Sequence, residues 1–261
     1  MSFLIGCDPE VFVGDANGVR SIIGLIGGTK NNPLPMPMGE GFAVQEDNVA
    51  LEFNIPPSPT KELFVANMSS AMDFLSSIMQ DMHGLHFVKD SALSFPVEQL
   101  QDPRALSFGC DPDYNAWTGN INPRPRSADK TLRSCGGHVH IGTVTTKYAW
   151  CNPQEIIKAM DLFTGVPSVY MDKGLLRKQL YGKAGAYRPK DYGVEYRSLS
   201  NYWIFSKELQ EWVYENTERA LDAVLNEVSF DEDASLIQLA INKSNTKAAD
   251  YLREKYSLNV L

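Results

Sequence analysis

This chain is short of positive charge: 24 Lys and Arg face 32 Asp and Glu, a formal net charge of −8 at pH 7. Non-specific binding to nucleic acid needs lysines and arginines to neutralise phosphates, so the deficit argues against it. Cysteine is scarce as well. Cys7, Cys110, Cys135 and Cys151 show no Cys-x-x-Cys spacing, so no zinc knuckle is expected, and the four read as buried thiols without disulfides in a reducing compartment. No apolar run approaches the length of a membrane span. The N-terminus, Met1-Ser2-Phe3-Leu4-Ile5-Gly6, has no basic leader and passes straight into a strand pattern. These absences predict a soluble cytoplasmic protein with neither membrane nor nucleic acid among its partners.

What is present has the composition of an ordinary globular protein, with 43% hydrophobic and 21% charged residues. The length of 261 residues reads as a single domain, 1–261, with a helical C-terminal part from about 206. The most informative stretch is Cys135-Gly136-Gly137-His138-Val139-His140-Ile141-Gly142. With a period of two, Val139 and Ile141 point to one face of a strand, and His138 and His140 stand side by side on the other. Glycines before and after let the backbone approach a bulky ligand. The plain alternative is an edge strand whose histidines meet only water.

Other strands repeat this two-faced design. Residues 3–13 read as a strand with Asp8 and Glu10 on one face and Pro9 forcing an edge or a bulge; a turn at 14–18 leads to a second strand near 19–24. A Gly-, Pro- and Asn-rich loop over 26–41 is placed to lie over a site. Residues 48–55 alternate without a break, with Val49, Leu51, Phe53 and Ile55 apolar and Glu52 on the opposite face; Glu46 and Asp47 precede them. Residues 193–200 put Val194 and Tyr196 on one side, Glu195 and Arg197 on the other. Between Arg177 and Arg197 the charge reverses: Arg177, Lys178, Lys183, Arg188, Lys190 and Arg197 stand against only Asp191 and Glu195. Such a cationic surface on an acidic protein suits a small polyanion, or is a solvated loop.

Helical spacing predicts a helix from Thr60 to about Met82, with its methionines as core filler, and one from 153 to about 163 that resumes after Pro167. Further helices are expected at 206–225, 233–242 and 245–256. His83 and His86 at the first helix end receive no catalytic role. The stretch up to Arg133, with Arg124, Arg126 and Lys130, reads as a substrate loop or a plain surface loop.

If these strands share one antiparallel sheet, the fold is α+β, with helices on the apolar face and acids, histidines and an arginine on the other. Facing carboxylates would repel one another unless divalent cations lay among them. Such a donor set suits magnesium or manganese better than zinc. Magnesium commonly accompanies nucleotide phosphates, and the basic segment would offset the remaining phosphate charge.

The order Asp8-Pro9-Glu10, a strand with Glu52, Gly-Gly-His138-Val-His140 and Glu195-Tyr-Arg197 resembles carboxylate–amine ligases of the glutamine synthetase and glutamate–cysteine ligase superfamily. Leu180-Tyr181-Gly182-Lys183-Ala184-Gly185-Ala186-Tyr187-Arg188, Tyr192-Gly193-Val194-Glu195-Tyr196-Arg197 and Leu199-Ser200-Asn201-Tyr202-Trp203 resemble more closely the phage-type COOH-NH2 ligases, or amidoligases. The likeness spans about residues 3–205. It implies a glutamine-synthetase-like curved antiparallel sheet with a polar catalytic face, and the host cytoplasm if the protein is phage-encoded. It also implies an ATP-dependent enzyme with Mg2+ or Mn2+ that forms an amide through an acyl phosphate, from a carboxylate and an amine borne by a small molecule, peptide or protein.

By that resemblance Asp8, Glu10, Glu52, His138 and Glu195 are metal ligands, joined by Glu46 or Asp47, with Glu46 preferred. Arg197, Glu52 and Glu195 are the catalytic set. His140, Lys183, Arg188 and Arg177 bind the nucleotide phosphates. Two other readings stay open: a metal-dependent hydrolase built on His138 and His140, and a non-catalytic nucleotide-binding module.

Overall fold

The computed structural model describes residues 3–106, 113–123 and 129–261; Cys110, Arg124 and Arg126 lie outside them. The chain opens with β1 (Leu4–Cys7), β2 (Glu10–Asp15), β3 (Gly18–Arg20), β4 (Leu34–Pro35), β5 (Ala43–Asp47) and β6 (Ala50–Asn54). Helix α1 (Lys61–His83), β7 (His86–Val88), β8 (Ala92–Ser94), α2 (Pro103–Leu106), β9 (Tyr114–Asn115), β10 (Leu132–Ser134) and β11 (Val139–Gly142) follow. After them come α3 (Pro153–Met160), α4 (Val166–Met171), α5 (Arg177–Leu180), β12 (Ala186–Lys190) and β13 (Gly193–Tyr196). Helices α6 (Lys207–Leu225), α7 (Ala234–Lys243) and α8 (Thr246–Tyr256) end the chain. No helix among the described residues is long and apolar enough to cross a membrane.

The predicted α+β class holds, but the expected single sheet is two main ones, with a separate β8–β10 pair. One runs in the order β1-β11-β13-β12-β9, the other β3-β2-β6-β5-β4 with β7 also on β2, and the strand pairs are antiparallel. The break falls at Asp8-Pro9, where the ring removes a ladder donor. Backbone bonds nevertheless cross it. Ile55 N donates to Cys7 O (3.4 Å), Phe53 N to Pro9 O (3.2 Å), and Glu10 N to Gly136 O (2.9 Å). The sheets therefore curl into one another around the kink.

Two further differences come from turns. The expected unbroken strand at 48–55 is the second arm of a tight hairpin, because Asn48 takes a left-handed conformation (φ 54°) between β5 and β6. Asn tolerates that region where β-branched residues do not. Strand β12 lies in the basic segment, where Arg188, Pro189 and Lys190 hide its alternation.

Apolar residues of both sheets, among them Ile5, Leu51, Phe53, Val139, Ile141, Val194 and Tyr196, form a core with Phe64, Met68 and Leu75 of α1 and Trp212, Val213 and Leu221 of α6. The methionine stripe fills that core as far as Met79; Met82, one turn on, is 70% exposed. Thr60 Oγ1 caps α1 by accepting from Leu63 N (3.3 Å).

Helices α3 and α4 are one run, joined by a π-helical turn at Asp161–Gly165. Pro167 has no N–H to give and its ring would crowd the carbonyl one turn back; the wider turn relieves both. The turn also aims Asp161, which is fully buried. Its Oδ2 accepts from Trp117 Nε1 (2.7 Å) and Gly185 N (2.6 Å), and its Oδ1 from Tyr196 Oη (2.8 Å) and Ser198 Oγ (3.2 Å). Burial outweighs these four donors and pushes the carboxyl up to about 6. Sequence pattern gave no sign of this node, since Asp161 sits where a helix interior was expected.

Replacing Asp161 with Asn either sets an amide N–H2 against Trp117 Nε1 and Gly185 N, which can only donate, or makes the Tyr196 and Ser198 hydroxyls give up donating and accept. Asp161→Asn is expected to cost about 2–4 kcal/mol in urea unfolding. A change under 1 kcal/mol would show that the node is not structural.

Candidate functional site

The four two-faced strands do meet. Register pairs Glu10 with Glu52 and Gln45 with Glu52 across β2, β6 and β5, and His140 with Glu195 and Glu195 with Arg188 across β11, β13 and β12. Residues directly opposite one another share a face, so the polar sets line one concave surface on both sides of the Asp8-Pro9 kink.

The side chains divide into two halves with opposite electrostatics. On one side, carboxylates are matched by cations. Asp8 Oδ1 lies 2.9 Å from His140 Nε2 and 3.2 Å from His138 Nδ1. Glu195 is fully buried, bonded by Arg197 Nη1, with Lys190 Nζ 2.8 Å from its Oε2 and Arg188 Nη1 3.5 Å from its Oε1. Burial alone would raise both acids. The histidines, His140 foremost, hold Asp8 well below the usual range, and Arg197 holds Glu195 at about 2.

On the other side, Glu10, Asp47 and Glu52 crowd together with less compensation. Burial and then Asp47 push Glu10 to about 8, burial and the neighbouring acids raise Glu52 well above its ordinary value, and burial raises Asp47. The expected repulsion runs across both halves, since Asp8 raises Glu52, Asp47 and Glu195 alike, and it prevails where fewer cations stand.

The histidines are not alike. His138 is 3% exposed, and burial with Arg197 lowers it to about 4; its Nδ1 stands 3.2 Å from both Arg197 Nη1 and Asp8 Oδ1. His140 is raised, because Asp8 outweighs its burial. Its Nδ1 shares a hydrogen bond with the Tyr192 hydroxyl, a partner missed in the sequence because it lies in the β12–β13 turn. Gly136 and Gly137 admit this packing: a Cβ at Gly136 would lie 2.2 Å from His138 Nε2, and one at Gly137 2.4 Å from Ser200 O. Asn201 Nδ2 donates to Glu10 O (2.8 Å) and Trp203 Nε1 to Gly137 O (3.2 Å), so the 201–205 turn supports both strand ends.

Some expected residues stand elsewhere. Glu46 faces away from the cluster: its Oε1 accepts from Gly24 N (2.8 Å), Ile26 N (3.2 Å) and Gly27 N (2.8 Å), and Arg104 Nη1 donates to its Oε2 (3.0 Å). It pins the 24–27 loop. Asp47, one residue on, has the right parity and takes the place given to Glu46. Arg177 is 2% exposed, and its guanidinium donates to the carbonyls of Ser198 (3.1 Å) and Arg197 (3.3 Å). It braces β13's exit instead of reaching solvent phosphate. Lys183 is exposed beside Asp113, Asn122 and Tyr181. Arg133, expected in a surface loop, is 4% exposed and ties down the carbonyls of Lys130, Leu132 and Ala105. Asp113, also missed, lies 3.7 Å from Arg197 Nε.

One ligand atom each of Asp8, His140 and Glu195 lies within 4.8 Å of the others, a spacing open to a metal ion. Oxygen donors with one imidazole fit a hard divalent cation better than zinc. Beside them, Arg197, Arg188 and Lys190 present cations to any phosphate. The arrangement is that of a charge-balanced site on a curled antiparallel sheet, suited to a polyanionic substrate with divalent ions.

Residues 124–239 match the family model Phage phiEco32-like COOH.NH2 ligase-type 2. This part of the chain, with His138, His140, Glu195 and Arg197, is similar to the phage-type COOH-NH2 ligase family, whose name is that of a carboxylate–amine ligase. No curated protein matches the chain.

The two halves should respond oppositely to mutation. Glu10 binds a proton more readily folded than unfolded, so its contribution to stability falls as pH rises from about 4.5 to about 8. Glu10→Gln is expected to cost less than about 1 kcal/mol at pH 7 and to gain on the parent up to pH 8.5. Glu195→Gln strands buried cations and should cost at least about 3 kcal/mol at pH 7. Chemical denaturation across that pH range reads both; equal losses would refute the division.

Proposed function

We propose that the chain is an ATP-dependent carboxylate–amine ligase of glutamine-synthetase-like fold that forms an amide through an acyl phosphate. The observation that carries this reading is the interleaving, on one buried face, of Asp8, His140 and Glu195 with Arg197, Arg188 and Lys190. A hydrolase centred on two histidines fits less well, since Arg197 occupies His138 Nδ1 and the spacing open to a metal contains His140 alone.

In this reading Asp8, His140 and Glu195 hold one divalent cation, and Glu10, Asp47 and Glu52, once deprotonated, hold another. His138, kept neutral by burial and Arg197, orients that arginine and contributes as a metal ligand if its ring turns. The bound cations would supply charge neutralisation for the nucleotide phosphates. Lys190 and Arg188 stand at the Glu195 oxygens and would be able to turn toward phosphate where a cation took their place. Arg197 sits between Glu195, His138 and Asp113, where its planar fork can brace a phosphoryl group passing to the substrate carboxylate. An amine then displaces phosphate, and its proton passes to a carboxylate of the same polar face that holds no cation. The substrates are a carboxylate and an amine, with no nucleic acid or membrane required.

Thermal melting tests the binding step. ATP with Mg2+ should raise the melting temperature, and ATP with EDTA should raise it less or not at all; identical values in all conditions would refute the reading. Arg197→Lys should retain ATP binding yet lose at least about two orders of magnitude in ADP release once a carboxylate and amine pair supports turnover. Near-parental turnover would reduce Arg197 to an ion-pair partner of Glu195.

A further inference from the structure

One side chain holds His140 from outside the charged cluster. Tyr192, in the turn between β12 and β13, is 42% exposed; its ring lies nearly parallel to that of His140 (22°, centroids 5.9 Å apart), and its hydroxyl meets His140 Nδ1. The backbone fixes the turn in that place. Thr143 N (2.9 Å) and Val144 N (3.4 Å) both donate to Tyr192 O, which laces the turn to the exit of the histidine strand. A Cβ at Gly193 would lie 2.1 Å from Ile141 O, so the chain can run this close to β11 only with glycine there.

The other ring nitrogen faces inward. His140 Nε2 lies 2.9 Å from Asp8 Oδ1, yet both atoms are buried without a partner in hydrogen-bonding geometry among the described residues. Glu195 Oε2, with Lys190 Nζ 2.8 Å away, is buried in the same condition. These three residues are the ones whose ligand atoms come within 4.8 Å of one another, and buried polar atoms left in that state call for something that satisfies them. The bond to Tyr192 is thus the one aligned hydrogen bond of the His140 ring among the described residues.

We infer that Tyr192 is a positioning residue of this site: its hydroxyl accepts the Nδ1–H of His140 and so holds the Nε2 lone pair toward a divalent cation shared with Asp8 and Glu195. An imidazole that binds a cation through Nε2 carries its proton on Nδ1, and the acceptor it meets there sets the direction of the ring. A carboxylate or a backbone carbonyl commonly fills that place. A phenol accepts as they do and can also donate, so the same bond survives whichever nitrogen bears the proton when the site is empty. The inference rests on the cation placed at Asp8, His140 and Glu195 above, and not on ATP binding or amide formation.

Titration of the full chain with Mn2+ tests it, with free Mn2+ read by electron paramagnetic resonance and no nucleotide present. The parent should bind, and Tyr192→Phe, which keeps the stacked ring and loses the hydroxyl, should weaken at least one binding step by about tenfold or more. With saturating Mg2+ and 15N-labelled histidine, the His140 signals, assigned by their loss in His140→Gln, should show the Nδ1–H tautomer in the parent and lose that preference in Tyr192→Phe. A parent that binds no Mn2+ would overturn the cation reading of the site and this inference together. Equal affinity of parent and variant in every step, or an Nε2–H tautomer in the Mg2+-loaded parent, would overturn the inference alone. So would a metal-free melting temperature more than about 5 °C below the parent's in Tyr192→Phe, by making the hydroxyl a structural bond.

Discussion

The structure depends on how charge is buried on the concave face of a curled sheet. Glu195 has no exposure, and a lone carboxylate there would be too costly to keep ionised. Arg197, Lys190 and Arg188 surround it, and Asp8 rests between two imidazoles. Once those pairs form, the positions of β11, β12 and β13 are fixed relative to one another. The acids on β2, β5 and β6 have fewer cations about them, and burial raises their affinity for protons.

Support for that surface comes from its other side. Tyr196 and Ser198 flank Arg197 in sequence and point away from the site to Asp161, so the strand that presents Glu195 and Arg197 is held from behind by a buried acid. Arg177 takes the carbonyls of Arg197 and Ser198, and Asn201 and Trp203 take those of Glu10 and Gly137. Positioning of this kind holds the charged groups of the face in place before anything binds there.

The family match over residues 124–239 covers the histidine strand and the Glu195–Arg197 strand but not β1, β2, β5 or β6. Fold geometry supplies the link. Glu10 N donates to Gly136 O (2.9 Å) and Gly136 N to Glu10 Oε2 (2.6 Å), so the N-terminal acids and the matched segment form one continuous face.

Alternation by twos was enough to read His138 with His140, Glu195 with Arg197, and Glu52 opposite its apolar neighbours, because side-chain direction in a strand is a local property. Helical spacing and caps located α1 and α6 for the same reason. Between Glu46 and Asp47 the resemblance left a choice, with Glu46 preferred; the left-handed turn at Asn48 is one residue's backbone choice, and it decides that Asp47 faces the cluster. Basic residues near 177–190 looked alike in sequence. Only packing separates Arg177, buried on backbone carbonyls, from Lys190 and Arg188 at Glu195 and from Lys183 in solvent, because the fate of a long cation depends on which carbonyls and carboxylates the fold brings within reach. The hold of Asp161 on β13 and that of Tyr192 on His140 likewise join residues 35 and 52 positions apart, a distance over which local pattern carries no information and tertiary contact decides.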